Sequence, residues 1–125
     1  MLAVPTTDRE VNATIINAIQ RISAVVTQRS LVEAFGLTVA EAMWKKAPVV
    51  ASAVGGIQDQ IEDGVSGMLV DPLDAPAWAE AVRDLLLFTE RAKEMGDVAH
   101  EAVRRRFLPD RHLLEVLDAI GRASE

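Results

Sequence analysis

Two carboxylates eight positions apart, Glu33 and Glu41, flank the turn Ala34-Phe-Gly-Leu-Thr38. An apolar run, Ala24-Val-Val-Thr27, leads up to them, and Ala40 to Lys46 reads as helix. If the strand ends near Arg29 and the helix starts near Leu37 or Thr38, Glu33 lies in the loop at the carboxyl end of a strand. That is where open α/β sheets bind ligands. Glu41 then belongs to the first turn of the helix. The amides of Gly36, Leu37 and Thr38 point out of the helix start unpaired, and with the helix dipole they make an anion site. Carboxylates suit sugar hydroxyls and amides suit a phosphate, the combination that a nucleotide-sugar pocket needs. Two structural readings stand beside this one. Thr38-Val-Ala-Glu41 is itself a capping box, and Glu33 can equally be a solvated loop residue.

The flanking elements decide whether such a turn is positioned at all. Thr7-Asp-Arg-Glu10 fits a capping box with Thr7 as the cap, and Val11, Ile15, Ala18, Ile19 and Ile22 recur at helical spacing over residues 8 to 22. Ala24 to Thr27 follows as a buried strand. Leu37, Ala40, Met43, Trp44 and Ala47 are expected on the inner face of the next helix. Pro48 opens a second continuous apolar run, Val49 to Val54, which Gly55-Gly56 breaks. Ile57 to Glu62 reads as a short helix and Met68-Leu-Val70 as a third strand. Asp74 then caps a helix with Pro76 near its start and with Trp78, Ala81, Val82, Leu85 and Leu86 inward. A helix from Thr89 to Arg106 carries Ala92, Met95, Val98, Ala99, Ala102 and Val103. Pro109 begins another, with Leu113, Leu114, Val116, Leu117 and Ile120 inward, and Met1 to Val4 resembles the tail of a strand.

Alternating helices and continuous apolar runs predict a parallel sheet with right-handed crossovers. The expected fold class is α/β: a partial Rossmann-like sheet of about three strands with flanking helices, followed by a helical C-terminal region. The chain is expected to be one domain over residues 1–125, with an α/β part at 1–88 and C-terminal helices at 89–125.

Composition narrows the function classes. Half of the 125 residues are apolar and 26% are charged, which is the balance of a globular domain. The formal net charge of -6 argues against nucleic acid as the main partner. There is no cysteine, hence no disulfide or thiolate chemistry. No run approaches the ~18 apolar residues of a membrane span, and Met1-Leu-Ala-Val-Pro5 is too short for a signal peptide, so a cytoplasmic location is expected.

The strings Glu33-Ala-Phe-Gly-Leu-Thr-Val-Ala-Glu41-Ala-Met, Pro48-Val-Val-Ala, Gly55-Gly56 and Asp63-Gly-Val-Ser-Gly-Met-Leu-Val70 occur in this order. Together they closely resemble the carboxyl-terminal domain of retaining GT-B glycosyltransferases, family four, the group-one transferases. The resemblance runs from about residue 10 to residue 107. Leu37-Thr-Val-x-Glu-Ala-x-Trp-Lys45 and Gly55-Gly-Ile-x-x-Gln-Ile61 look most like the trehalose-forming glycosyltransferring synthases.

The resemblance implies roles by position. Glu33 would meet the donor sugar hydroxyls at the reacting face, and Glu41 the ribose hydroxyls. Phe35, Gly36, Leu37 and Thr38 would offer backbone amides to the donor, and Gly55 and Gly56 would let it approach the backbone. The implied reaction moves a hexose, glucose in the trehalose-forming case, from a nucleotide diphosphate sugar to an acceptor hydroxyl with retention, without a metal or other cofactor. The implied alternative is a non-catalytic module that binds a nucleotide sugar or serves as an interaction surface. The family places a small residue, any residue, glycine, any residue and proline after the position of Met43. Here Lys46 stands at the glycine; if that glycine is a helix end with positive φ, Lys46 is tolerated there only with strain. The family's acceptor domain, and the first half of the donor domain with its diphosphate-neutralising cations, have no counterpart in these residues. Partners expected from this are that N-terminal acceptor domain or a second copy of the chain, paired through an open sheet edge.

Other residues have plainer readings. His100 and His112 lack a metal-ligand pattern and are expected on helix faces. Arg104-Arg-Arg106 complements a helix dipole. Trp44 and Trp78 are expected to pack in the core, and Lys45 and Lys46 to lie on a solvated face.

Overall fold

The computed structural model describes residues 8–107 together with Glu115, Asp118, Ala119, Gly121 and Arg122. Over the described residues the chain runs α1 (Arg9–Ile22), β1 (Val26–Gln28), α2 (Leu37–Trp44), β2 (Val49–Ser52), α3 (Ile57–Gln60), β3 (Met68–Val70), α4 (Ala75–Leu87) and α5 (Thr89–Phe107). The strands form one parallel sheet in the order β1-β2-β3, with Val26 opposite Val49 and Val50 opposite Met68. The α/β class and the three-stranded parallel sheet are as expected. The readings of Met1 to Val4 as a strand tail and of Pro109 to Ile120 as a helix lie outside the described residues.

Strand β2 shows why the Pro48–Val54 run is apolar throughout. Side chains alternate across a strand, and both faces of this one are covered. Val49 and Ala51 join Val39, Ala42, Met43, Ile57, Ala99 and Val103 on the side of α2, α3 and α5. Val50 joins Val70, Trp78, Ala81, Leu85 and Met95 on the other. The strand stops at Ser52, short of the expected Val54, because its partner β3 ends there: Ser52 lies opposite Val70.

The helix starts differ in how they are capped. Asp8 caps α1, in place of the expected Thr7, its Oδ1 accepting from the amides of Glu10 at 3.0 Å and Val11 at 3.2 Å. Asp74 caps α4 as expected, accepting from Ala77 N at 3.0 Å. Helix α2 begins on Gly36 at φ +78° with no side-chain cap. Thr38 therefore stands inside the helix, and the capping box with Glu41 does not form.

The end of α2 carries the departure at Lys46. Ala47 N donates to Ala42 O and Lys46 N to Met43 O, both at 3.0 Å. That pair of bonds is a Schellman motif, which requires a left-handed residue just past the helix. Lys46 fills it at φ +64°.

Several apolar positions expected inside are not. On α1, Val11, Ile19 and Ile22 are exposed while Asn17 and Gln20 are buried. The surface that α1 meets is polar: Gln20 bonds to Thr38 O and to the Lys45 ammonium of α2. The helix turns its polar stripe inward to satisfy them. Leu37, Leu86 and Val98 are likewise exposed, each standing at the margin of its helix's buried face. No helix among the described residues is long and apolar enough to cross a membrane.

Candidate functional site

Two turns at the carboxyl ends of β1 and β2 interlock. The loop after β1 is tied down by Ser30 N donating to Ser52 Oγ at 2.8 Å and by Arg29 Nε donating to Pro72 O at 2.7 Å. Further along, Gly56 N donates to Glu33 O at 3.2 Å. The contact has no room for side chains. A Cβ on Gly55 would lie 1.9 Å from Glu33 O, and one on Gly56 2.3 Å from Ala34 O. A Cβ on Gly36 would lie 2.8 Å from Ile57 Cγ1. Glycines at 55 and 56 thus let one backbone sit on the other and fix where the Glu33 loop stands.

The start of α2 lies beside this contact, with Gly36 buried and Leu37 and Thr38 exposed. Gly36 O accepts from Val39 N at 3.0 Å and Ala40 N at 3.2 Å, which sets the first turn. The amides of Gly36, Leu37 and Thr38 find no acceptor among the described residues. Three N–H groups at the positive end of a helix can receive an oxyanion. Glu33 is half-buried, and its Cγ lies 3.6 Å from where a Gly36 Cβ would be. Phe35 and Leu37 are exposed at the rim, next to exposed Leu31 and Val32.

Glu41 lies on α2 beyond these amides, half-buried. Burial pushes its carboxyl above the usual range, and Lys45 one turn on pulls back the other way. Lys45 is itself lowered, first by burial, while Glu41 raises it and Arg21 lowers it further. The Lys45 ammonium donates to Gln20 Oε1 at 2.5 Å. Glu41 is thus an acceptor in a partly dry setting with a cation on its own helix.

Several of the remaining candidates have structural partners, and His112 lies outside the described residues. The His100 ring lies 4.7 Å from that of Trp44, and His100 Nδ1 bonds Trp44 O at 2.5 Å. Trp78 is buried, donates from Nε1 to Asp71 O at 2.9 Å, and carries Arg29 5.9 Å from its ring. Arg104 and Arg105 both bind the Glu101 carboxylate, at 2.7 and 2.9 Å. Among the described residues no group of three or more metal-ligating side chains gathers.

One residue of the quoted motif Gly55-Gly-Ile-x-x-Gln-Ile61, given no role by the sequence, stands at the site. Gln60 is 6% exposed, and its Nε2 donates to Phe35 O. The signal was present: three residues after Ile57 on the same short helix, Gln60 must share that helix's buried face.

The sequence profile of the family described as glycosyl transferases group 1 matches residues 9–102. The chain belongs to this family. As a group 1 glycosyl transferase domain it is 48% identical over 114 residues to the trehalose synthase of Pyrococcus horikoshii, which covers 89% of the chain and 27% of that relative. It is 46% identical over 92 residues to the sucrose synthase of Acidithiobacillus caldus, covering 70% of the chain and 12% of the relative. The fold of this transferase domain matches HepE of Anabaena, solved in complex with UDP-glucose, with a TM-score of 0.72 at 25% identity, over 86% of the chain and 29% of HepE. It matches the sucrose-phosphate synthase of Thermosynechococcus elongatus with a TM-score of 0.69 at 34% identity, over 80% of the chain and 25% of that structure. The chain therefore spans about a quarter of the length of the trehalose synthase and of these structures.

Proposed function

We propose that the turns at 33–38 and 55–56 form the donor half of a retaining hexosyltransferase site. Glu33 accepts hydrogen bonds from the donor sugar at the reacting face, and Glu41 from the ribose of the nucleotide. Phe35, Gly36, Leu37 and Thr38 present backbone donors to the diphosphate sugar, and Gly55 and Gly56 leave room for it along the backbone. The observation that carries this reading is the set of three unpaired amides at the start of α2, standing beside Glu33 at the carboxyl ends of β1 and β2. Such fixed donors stabilise the charge that grows on a departing diphosphate without a metal.

In the reaction the bond between the anomeric carbon and the diphosphate oxygen breaks. A new bond joins that carbon to the acceptor oxygen on the same face, and the acceptor's proton leaves with the diphosphate. Glucose is the proposed hexose and trehalose formation the proposed outcome, on the likeness to trehalose synthases and to a fold that holds UDP-glucose. The acceptor site would come from an N-terminal acceptor domain or from a second copy of the chain, and the cations for the diphosphate from the first half of the donor domain.

The test is calorimetric titration of the chain with UDP-, ADP- and GDP-glucose, repeated with Glu41→Gln. At least one donor should bind. The substitution should weaken it about tenfold or more, since a hydrogen bond to a charged group contributes about 1.5–3 kcal/mol. A folded chain that binds none of the three would overturn the reading in favour of an interaction module.

A further inference from the structure

We propose that Gln60 is a positioning residue for the donor turn: it sets which way the Phe35–Gly36 peptide faces, and so where the Gly36 amide points. This rests on the donor-site reading above. A trans peptide is planar, and its C=O and N–H point in opposite directions; no cis peptide occurs among the described residues. Gln60 Nε2 donates to Phe35 O from a side chain that is 6% exposed. The carbonyl is therefore held toward the interior, and the Gly36 N–H faces the opposite way, beside the free amides of Leu37 and Thr38.

The turn needs such an anchor. Gly36 sits at φ +78°, but glycine takes either sign of φ with equal ease. Gly36 itself therefore sets no barrier against a flip of the peptide before it, which would withdraw the amide and present a carbonyl to an anion. The tight backbone contacts of Gly55 and Gly56 fix the place of the Glu33 loop and reach Phe35 Cα, 3.1 Å from where a Gly56 Cβ would be, but none of them meets the Phe35 carbonyl oxygen or the Gly36 N–H. Gln60 spans from the turn after β2 to that peptide, crossing 25 residues of sequence. The oxygen of the same carboxamide, Oε1, is buried with no partner among the described residues. A carboxamide half-satisfied in the interior costs stability that a methionine there would not. The side chain is thus poorly suited to core packing and well suited to holding one carbonyl.

The experiment uses the 125-residue chain with Gln60→Met, which keeps the volume and removes the donor, and Gln60→Leu, which removes the donor with a second apolar side chain. Three quantities are read: the Gly36 amide resonance without ligand, the UDP-glucose affinity and the melting temperature. Both variants should move the Gly36 resonance and weaken UDP-glucose about tenfold, while Gln60→Met melts at or above the wild-type temperature. A purely structural role would lower melting and leave the Gly36 resonance of the folded protein in place, and that result overturns the proposal. Should either variant fail to fold, the wild-type chain still decides, since the Gln60 carboxamide protons must exchange slowly; fast exchange overturns the proposal. If the wild type binds no UDP-glucose while the Gly36 resonance moves on substitution, the donor reading alone fails and the hold of Gln60 on the peptide is supported.

Discussion

The backbone of α5 at Gly96 lies directly against Lys46: a Cβ on residue 96 would stand 2.1 Å from the Lys46 carbonyl oxygen. A left-handed residue that ends α2 is thus locked under a glycine in the helix that covers it. The pair predicts opposite outcomes for two substitutions. Gly96→Ala should destabilise by about 1–3 kcal/mol, because one of the two backbones must move. Lys46→Gly should stabilise by about 1 kcal/mol, because glycine takes φ +64° freely. The exposed pair of Lys46 Nζ with Asp97, at 3.1 Å, takes back only part of that gain. Urea unfolding of both variants checks the signs.

Gly55→Ala and Gly56→Ala should act on the site through the backbone contact they share with residues 33 and 34. Each new methyl would meet a carbonyl oxygen far inside van der Waals distance. Each variant is expected to lose about 1–3 kcal/mol and to lose UDP-glucose binding together with it. Gly64→Ala is the control. It has open space around it and φ +78°, so it should cost stability through strain alone and leave binding intact.

Glu41 and Glu101 should give opposite slopes of stability against pH. Burial raises Glu41 above its ordinary 4.5, so the folded state holds the proton more tightly than the unfolded chain. Stability from this group therefore falls as pH rises from about the ordinary value through the raised one. Glu41→Gln removes that slope and should leave the protein no less stable at pH 7. Glu101 is held down to about 2 by hydrogen bonds from Arg104 and then Arg105, so its contribution is present above the ordinary value and is lost as pH falls toward 2. Glu101→Gln should flatten that acid limb. Thermal melts from pH 2 to 8 separate the two.

The raised carboxyl of Glu41 also predicts how binding depends on pH. In the proposed role Glu41 accepts hydrogen bonds while ionised. Donor affinity should therefore fall, on acidification, at a pH above the ordinary 4.5 of a glutamate. Affinity measured between pH 4.5 and 7.5 checks this, and Glu41→Gln should bind weakly with no such pH dependence.

Much of the architecture was legible because it is written in patterns with a fixed period. Val49 to Ala51 read as a strand buried on both faces, and the structure covers both. Asp74 and Pro76 marked the start of α4. Whether the glycine position that Lys46 occupies ends a helix at positive φ is left as a condition by the sequence, and the structure meets it at φ +64°. What misled was polarity inside the fold. The isoleucines of α1 looked like a core stripe, yet Gln20 turns inward because Lys45 and Thr38 O need partners there. Thr38 and Glu41 spell a capping box, yet Gly36 starts the helix two residues earlier, and only the backbone shows this. Gln60 stands in the quoted motif but has no legible role there, because its partner is a backbone carbonyl rather than a side chain.

The central claim is that the start of α2 receives the phosphates of a nucleotide sugar. The most direct measurement follows the amide resonances of the labelled chain during titration with UDP-glucose. The largest shifts are expected at Gly36, Leu37 and Thr38, with smaller ones at Gly55 and Gly56. Shifts confined to other parts of the chain, or none at saturating donor from a folded sample, would contradict it.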